Sequence, residues 1–153
     1  MLTQDDWEVF RTVRLAALRE APYAFGSTYE REVEAPESRW RDGLLGRTRF
    51  VAEVDGEVVG TVSGGAADTA GSAAVTAMWV DPRFRRAGIG DALLKHVLEW
   101  LKRAAYRDVV LWVTEVNASA ERLYERNGFR RTGGVSEVRP GEPALEYEMS
   151  RRL

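Results

Sequence analysis

Val80-Asp81-Pro82-Arg83-Phe84-Arg85-Arg86-Ala87-Gly88-Ile89-Gly90-Asp91-Ala92-Leu93-Leu94 is the most informative run in the chain. A short apolar strand enters it, a basic glycine-containing turn crosses it, and an amphipathic helix leaves it. The first turn of a helix has N–H groups without intrahelical partners and the positive end of the dipole. A pyrophosphate placed there accepts several of those donors at once. Gly88 and Gly90 carry no Cβ, so an oxyanion can approach the backbone closely. Arg85 and its neighbours add long-range attraction. The spacing Arg-x-x-Gly-x-Gly is neither a Walker A loop nor a full dinucleotide fingerprint. Taken alone, the run fits equally an ordinary strand–turn–helix with glycines for the bend.

The helix that follows predicts an apolar face of Ile89, Leu93, Val97, Trp100, Leu101 and Ala104. Asp91, Lys95, Glu99, Lys102 and Arg103 fall on the other side. That face holds the helix against a sheet and fixes where its N-terminus points.

The 153 residues fit one domain, 1–153. Hydrophobic residues make up 44% and charged residues 30%, as in a soluble globular chain. A net charge of −2 argues against general nucleic-acid binding, which wants a basic footprint. There is no cysteine, which excludes disulfides, thiolate metal sites and a cysteine nucleophile. The single histidine, His96, lies on the exposed helix side, so no multi-histidine metal site is expected. The N-terminus has neither a basic start nor an apolar core, and no apolar run approaches a membrane span. A cytoplasmic protein without a membrane partner is the default expectation.

From the N-terminus, Thr3 caps a helix running to about Glu20, with Asp5 and Asp6 at its positive end. Trp7, Phe10, Val13, Ala17 and Leu18 give it an apolar stripe. Arg14, on the edge of the stripe, either snorkels to solvent or points into a cleft. Ala21-Pro22 stops the helix. The loop Tyr23 to Tyr29 holds three aromatics and either lines a pocket or plugs one end of the core. Pro36 and Glu37 begin a short helix through Trp40 and Leu45. Arg49–Val54 and Glu57–Ser63 flank Asp55-Gly56, a strong hairpin signal. Gly64 to Ser72 reads as a mobile turn, and Ala74–Val80 as the next strand.

Beyond the central helix, Asp108–Val113 is a nearly continuous apolar run, expected to be buried and paired in parallel with Ala74–Val80. Asn117 or Ser119 caps a short helix, with Gly128 at its C′ position and Phe129 packing back. Phe129–Thr132 starts a strand, Gly133–Pro143 reads as loop, and Ala144–Ser150 is a last alternating strand.

Two separated patterns then agree. Val80-x-Pro82-x-x-Arg85-x-x-Gly88-x-Gly90 resembles motif A of the GNAT N-acetyltransferase superfamily. Asn117-x-x-Ala120-x-x-Leu123-Tyr124-x-x-x-Gly128-Phe129 is similar to its motif B. The resemblance implies an α/β fold of mixed α+β character. Its central mixed sheet is flanked by helices and splayed at the acetyl-CoA site, between the strands ending at Val80 and Val113. It implies direct transfer of acetyl from acetyl-CoA to a primary amine of a small molecule or peptide, without a metal. The alternative is a non-catalytic acyl-CoA sensor. By position, main-chain groups of Met78 and Val80 and the side chain of Asn117 would bind the pantetheine arm. The N–H groups of Arg85, Arg86, Ala87, Gly88, Ile89, Gly90 and Asp91 would hold the pyrophosphate. Tyr124 would protonate the leaving thiolate, although on its own it reads as core. Glu30, Glu32, Glu34, Glu115 or a water chain are the candidate bases. Arg86 stands where the motif often has glycine, and the strand that usually precedes the first helix is not evident. A homodimer is compatible with the resemblance.

Overall fold

A computed structural model describes residues Met1 to Leu153. Helices α1 (Trp7–Glu20), α2 (Tyr29–Glu32) and α3 (Glu37–Asp42) come first. Strands β1 (Arg47–Val54), β2 (Glu57–Ala66) and β3 (Ser72–Val80) follow. Then come α4 (Ile89–Arg103), β4 (Asp108–Thr114), α5 (Ala118–Arg126), β5 (Arg130–Glu137) and β6 (Leu145–Arg152). The strands form one sheet in the order β1-β2-β3-β4-β6-β5, parallel only between β3 and β4. The expected α/β architecture is therefore present.

Each face of the sheet has its own core. Phe50, Val62, Val75, Val109, Leu111 and Val113 meet α4 and α5 on one face. On the other, Trp79 packs with Phe10, Val13, Leu18 and Trp40 from α1 and α3. Deleting a large side chain here, such as fully buried Leu94, costs about 2–5 kcal/mol. α4 buries most of the expected stripe, Leu93, Val97 and Leu101 with Ile89 and Trp100 packed beside them, and widens it on one side. Leu94 and Leu98 are buried, while Ala104 is exposed. The packing is tight at Gly64, where a Cβ would lie 2.7 Å from Val97 Cγ2. The helix lies directly on β2 there, so Gly64 to Ala66 belong to the strand and not to the expected turn.

Asp55 and Gly56 have φ of 50° and 82°, and they close the β1–β2 hairpin as predicted. α3 ends at Asp42, short of Leu45. Asp6 accepts hydrogen bonds from the Thr3 N–H and hydroxyl, so Thr3 opens a 3₁₀ turn that leads into α1. Before that turn, Leu2 donates to the Arg49 carbonyl at 2.8 Å, and no strand precedes α1. β5 runs on to Glu137 through a bulge between Arg131 and Val135, which overturns the loop expected from Gly133. No helix is long and apolar enough to cross a membrane.

The feature that positions the site is a loss of pairing. β3 and β4 pair only from Ser72↔Asp108 to Ala74↔Val110. Beyond that, β3 stays with β2 and β4 with β6, so the two inner edges part. A bulge contributes the bend. Ala77 and Met78 together stand opposite Val62, and Ala77 has φ of 52°.

Candidate active site

The parted edges enclose a slot. Val75, Thr76, Ala77 and Met78 line it from β3, and Trp112, Val113 and Thr114 from β4. Asn117, Ala120 and Tyr124 come from α5 and its cap, and Ala24 and Phe25 from the loop after α1. That loop fulfils both expectations, since Phe25 lines the slot and is itself buried. Trp112 was expected inside a buried strand but is 41% exposed. With β3 turned away, nothing covers that side of β4.

The glycine turn stands at the end of β3. Asp81 donates to Val59, so the adjacent Gly60–Val80 pair is of the type whose main-chain groups point the other way. Val80 therefore presents its N–H and C=O toward the gap. Its carbonyl accepts from Arg85 Nε at 2.9 Å. Arg85 Nη2 also binds Glu20 Oε2 at 2.6 Å, and the same oxygen accepts from Trp79 Nε1 at 2.9 Å. The Arg85 side chain thus braces the turn against α1, and its N–H is directed at the Pro82 carbonyl at 3.4 Å.

Next in sequence, the N–H groups of Arg86, Ala87, Gly88, Ile89, Gly90 and Asp91 donate to no other residue. Six consecutive free donors at the positive end of a 15-residue helix form an anion cradle. Gly88 has φ of 80°, and a Cβ there would meet nothing within 4 Å. It is glycine because of the backbone conformation. Gly90 has a different reason, since its Cβ would press on Leu123 Cδ2 at 3.3 Å. Arg86 adopts φ of 63°, which explains why glycine suits that position. Its exposed guanidinium makes no ion pair, so among Arg83, Arg85 and Arg86 it is the free cation. Arg83 is held by Asp81 and Glu57.

The α4 N-terminus is fixed to α5. Asp91 accepts from Arg126 at 2.9 and 2.6 Å and from Asn127 at 2.8 Å. Arg126 above all holds the Asp91 carboxyl below its usual range. Asn117 caps α5, its Oδ1 accepting from Ala120 N–H at 3.2 Å, and its Nδ2 makes no bond within the protein. Asn117, not Ser119, is the cap. Tyr124 is only 6% exposed and its ring meets Phe129 edge-on at 6.0 Å. Tyr124 lines the slot, and no hydrogen bond joins its hydroxyl to the rest of the protein. Burial pushes the phenol well above its ordinary pKa, so it stays protonated.

None of the expected base candidates lines the slot. Glu30, Glu34 and Glu115 are exposed. Glu32 is buried and bound bidentately by Arg14, at 3.0 and 2.8 Å. Arg14 therefore turns inward, over the Phe25 ring, instead of reaching solvent. Burial alone would raise the Glu32 pKa, but hydrogen bonds from Arg14 and Ser27 outweigh it and the net shift is downward. Glu146, a carboxylate that the sequence reading passed over, does not line the slot either, but its register partner Thr114 does. Glu146 stands opposite Thr114 in the β4–β6 register, makes no hydrogen bond or ion pair, and has its pKa raised by burial. Alternation in β6 was the available signal, but its register against β4 was not readable.

This arrangement, with a parted β3–β4 edge, a free-amide cradle at α4 and a tyrosine on α5, is that of an acetyltransferase fold. The family model of the acetyltransferase (GNAT) family matches residues 11–129, and the chain belongs to that family. It is similar to the N-acetylaspartate synthetases of Rattus norvegicus and Homo sapiens, each 42% identical over 93 residues. Those matches cover 60% of this chain and 31% of the relative, so the chain spans about a third of their length. Among solved structures, the ribosomal-protein-alanine N-acetyltransferase of Brucella melitensis superposes with a TM-score of 0.74 at 22% identity. That likeness covers 99% of this chain and 97% of the other. An acetyltransferase of Salmonella typhimurium, solved with its cofactor acetyl-CoA, gives 0.76 at 22% identity, over 99% and 91%. At these identities the structures establish the fold.

Proposed function

We propose that this protein is an N-acetyltransferase, a single domain that moves the acetyl group of acetyl-CoA directly to a primary amine. The observation that carries the reading is the alignment of two features along one slot. The six free amides adjoin it, since Gly90 sits against the slot residue Met78, and buried Tyr124 lines it. The residues fit the cosubstrate. The amides from Arg86 to Asp91, with Arg86, match a pyrophosphate. Val80 main chain and Asn117 Nδ2 match the amide groups of a pantetheine arm.

Acetyl-CoA supplies a thioester, whose carbon–sulfur bond breaks as the new carbon–nitrogen bond forms. Glu146, directly or through one water, takes the proton that the amine must lose. A raised pKa suits that task, because a base works best near the operating pH. Tyr124 donates its proton to the departing sulfur, and exchange with solvent restores both groups. No covalent attachment to the protein is needed, which accords with a chain lacking cysteine. The relatives' names support an amine acceptor without identifying it.

The test pairs calorimetry of CoA binding with a thiol-release assay over amino acids, polyamines, aminoglycosides and peptides. Acetyl-CoA should bind, raise the melting temperature by mass action, and release CoA steadily with at least one amine. Binding without release from any amine would select a sensor instead, and absence of binding would reject both.

A further inference from the structure

The α1 face of the sheet carries a polar row that acetyl-CoA does not use. Arg49 on β1 pairs with Ser63 on β2, and Ser63 pairs with Thr76 on β3, so all three point to the same face. Thr76 lines the slot. The row therefore runs from the slot residue Thr76 across two strand spacings, about 10 Å, to Arg49, which does not itself line the slot.

The groups in that row are short of partners. Arg49 is 7% exposed, yet none of its nitrogens donates a hydrogen bond, and Nε and Nη1 are fully enclosed. The Phe10 ring lies 4.0 Å from the guanidinium carbon. Ser63 Oγ and, across the slot, Thr114 Oγ1 are also enclosed and unbonded. A buried guanidinium without an anion is costly. Glu32 offsets it only in part, because Arg14 holds both its oxygens. Two arginines thus share one carboxylate. Burial first, and the charge of Arg14 second, push the Arg49 pKa down to about 9. Beyond the slot, Glu146 on β6 pairs with the slot residue Thr114.

We propose that Arg49 anchors an acceptor subsite for a carboxylate, and that the amine acetylated by this protein is a small amino acid. The acid group would lie toward Arg49, offsetting its unpaired charge, with the Ser63 and Thr76 hydroxyls as further donors. The amino group would lie toward the thioester. An arginine fork suits a carboxylate through two parallel hydrogen bonds. The inference rests on the acetyl-transfer reading above and specifies its acceptor.

The experiment compares matched pairs of acceptors, L-alanine with L-alaninamide and L-aspartate with L-asparagine, by thiol release. The amide in the first pair has the less basic and more readily deprotonated amine, so intrinsic reactivity opposes the expected preference. Wild-type kcat/KM should favour the added carboxylate at least ten-fold in one pair. Arg49→Met should bring that ratio close to one by raising KM, with an equal or higher melting temperature because a buried unpaired charge is gone. A merely structural Arg49 would give a lower melting temperature and an unchanged ratio. If Arg49→Met does not fold, Arg49→Lys decides, since loss of the fork should raise KM for the acid but not the amide. Equal use of acid and amide by the wild type overturns the subsite and leaves the acetyltransferase intact. If no amine is acetylated, calorimetry of L-aspartate against the CoA-loaded protein still reads the subsite. Binding lost in either Arg49 variant supports it, and no binding refutes it.

Discussion

Removing one oxygen atom, by Tyr124→Phe, separates a catalytic tyrosine from a core one. The ring is buried and meets Phe129 edge-on, so phenylalanine keeps the packing. No hydrogen bond joins the hydroxyl to the rest of the protein, so no partner is orphaned by its loss. The stability change should therefore stay below about 1 kcal/mol, a shift of roughly 2–4 °C for a chain of this size. Catalysis should respond differently. Burial holds the phenol above its ordinary pKa, so the proton is present throughout the neutral range. An acid that acts on a developing thiolate is felt only in the transition state, and kcat should fall on the order of 10²-fold or more. That is about 2.7 kcal/mol of lost transition-state stabilisation, and CoA affinity should be unchanged. Rapid-quench single-turnover transfer at saturating amine is the decisive assay, with calorimetry of CoA as control. A wild-type single-turnover rate in the phenylalanine variant would refute the assignment and return Tyr124 to the core.

The remaining expectations are more local. Gly88→Ala imposes a side chain on a backbone at φ of 80°, at a cost of about 1–2 kcal/mol. CoA affinity by calorimetry should fall about ten-fold, and an unchanged affinity would remove the cradle from the binding site. Glu146→Gln should lower kcat at least ten-fold. In the wild type, kcat/KM should rise with pH through an apparent pKa above that of an ordinary glutamate, because only the carboxylate can take the proton. The glutamine variant should lack that limb, and an identical pH profile in both proteins would exclude Glu146 as the base. Glu32→Gln leaves Arg14 and Arg49 facing each other without a counter-charge and should cost about 3 kcal/mol. The net Glu32 pKa is lowered in the folded state, so its contribution is present above the unfolded pKa and disappears as pH falls through the folded one. Chemical denaturation at neutral and acid pH should therefore show the variant's deficit shrinking with acidity, and a constant deficit would contradict the ion-pair account.

What the sequence disclosed and what it withheld divide by the range of the interaction. The hairpin at Asp55-Gly56, the cap at Asn117 and the turn at Gly88 are set by residues a few positions apart, and all three were legible. The two motifs carried the fold because each is a local backbone solution, a turn feeding a helix and a helix closed by Gly128. Gly64 was misread because its reason lies 33 residues away, at Val97. Trp112 was misread because apolarity marks burial only if a neighbour arrives, and the bulge at Ala77 and Met78 takes that neighbour away. The acceptor side was the least legible for the same reason. Arg49, Ser63 and Thr76 are far apart in the chain and become one row only through the register of three strands. Even the resemblance to a family could not supply that row, since motifs A and B describe the CoA side. The cosubstrate end of the slot is therefore written in contiguous sequence, whereas the end that selects the amine is written in strand pairing. In this chain that pairing buries an arginine with no partner of its own.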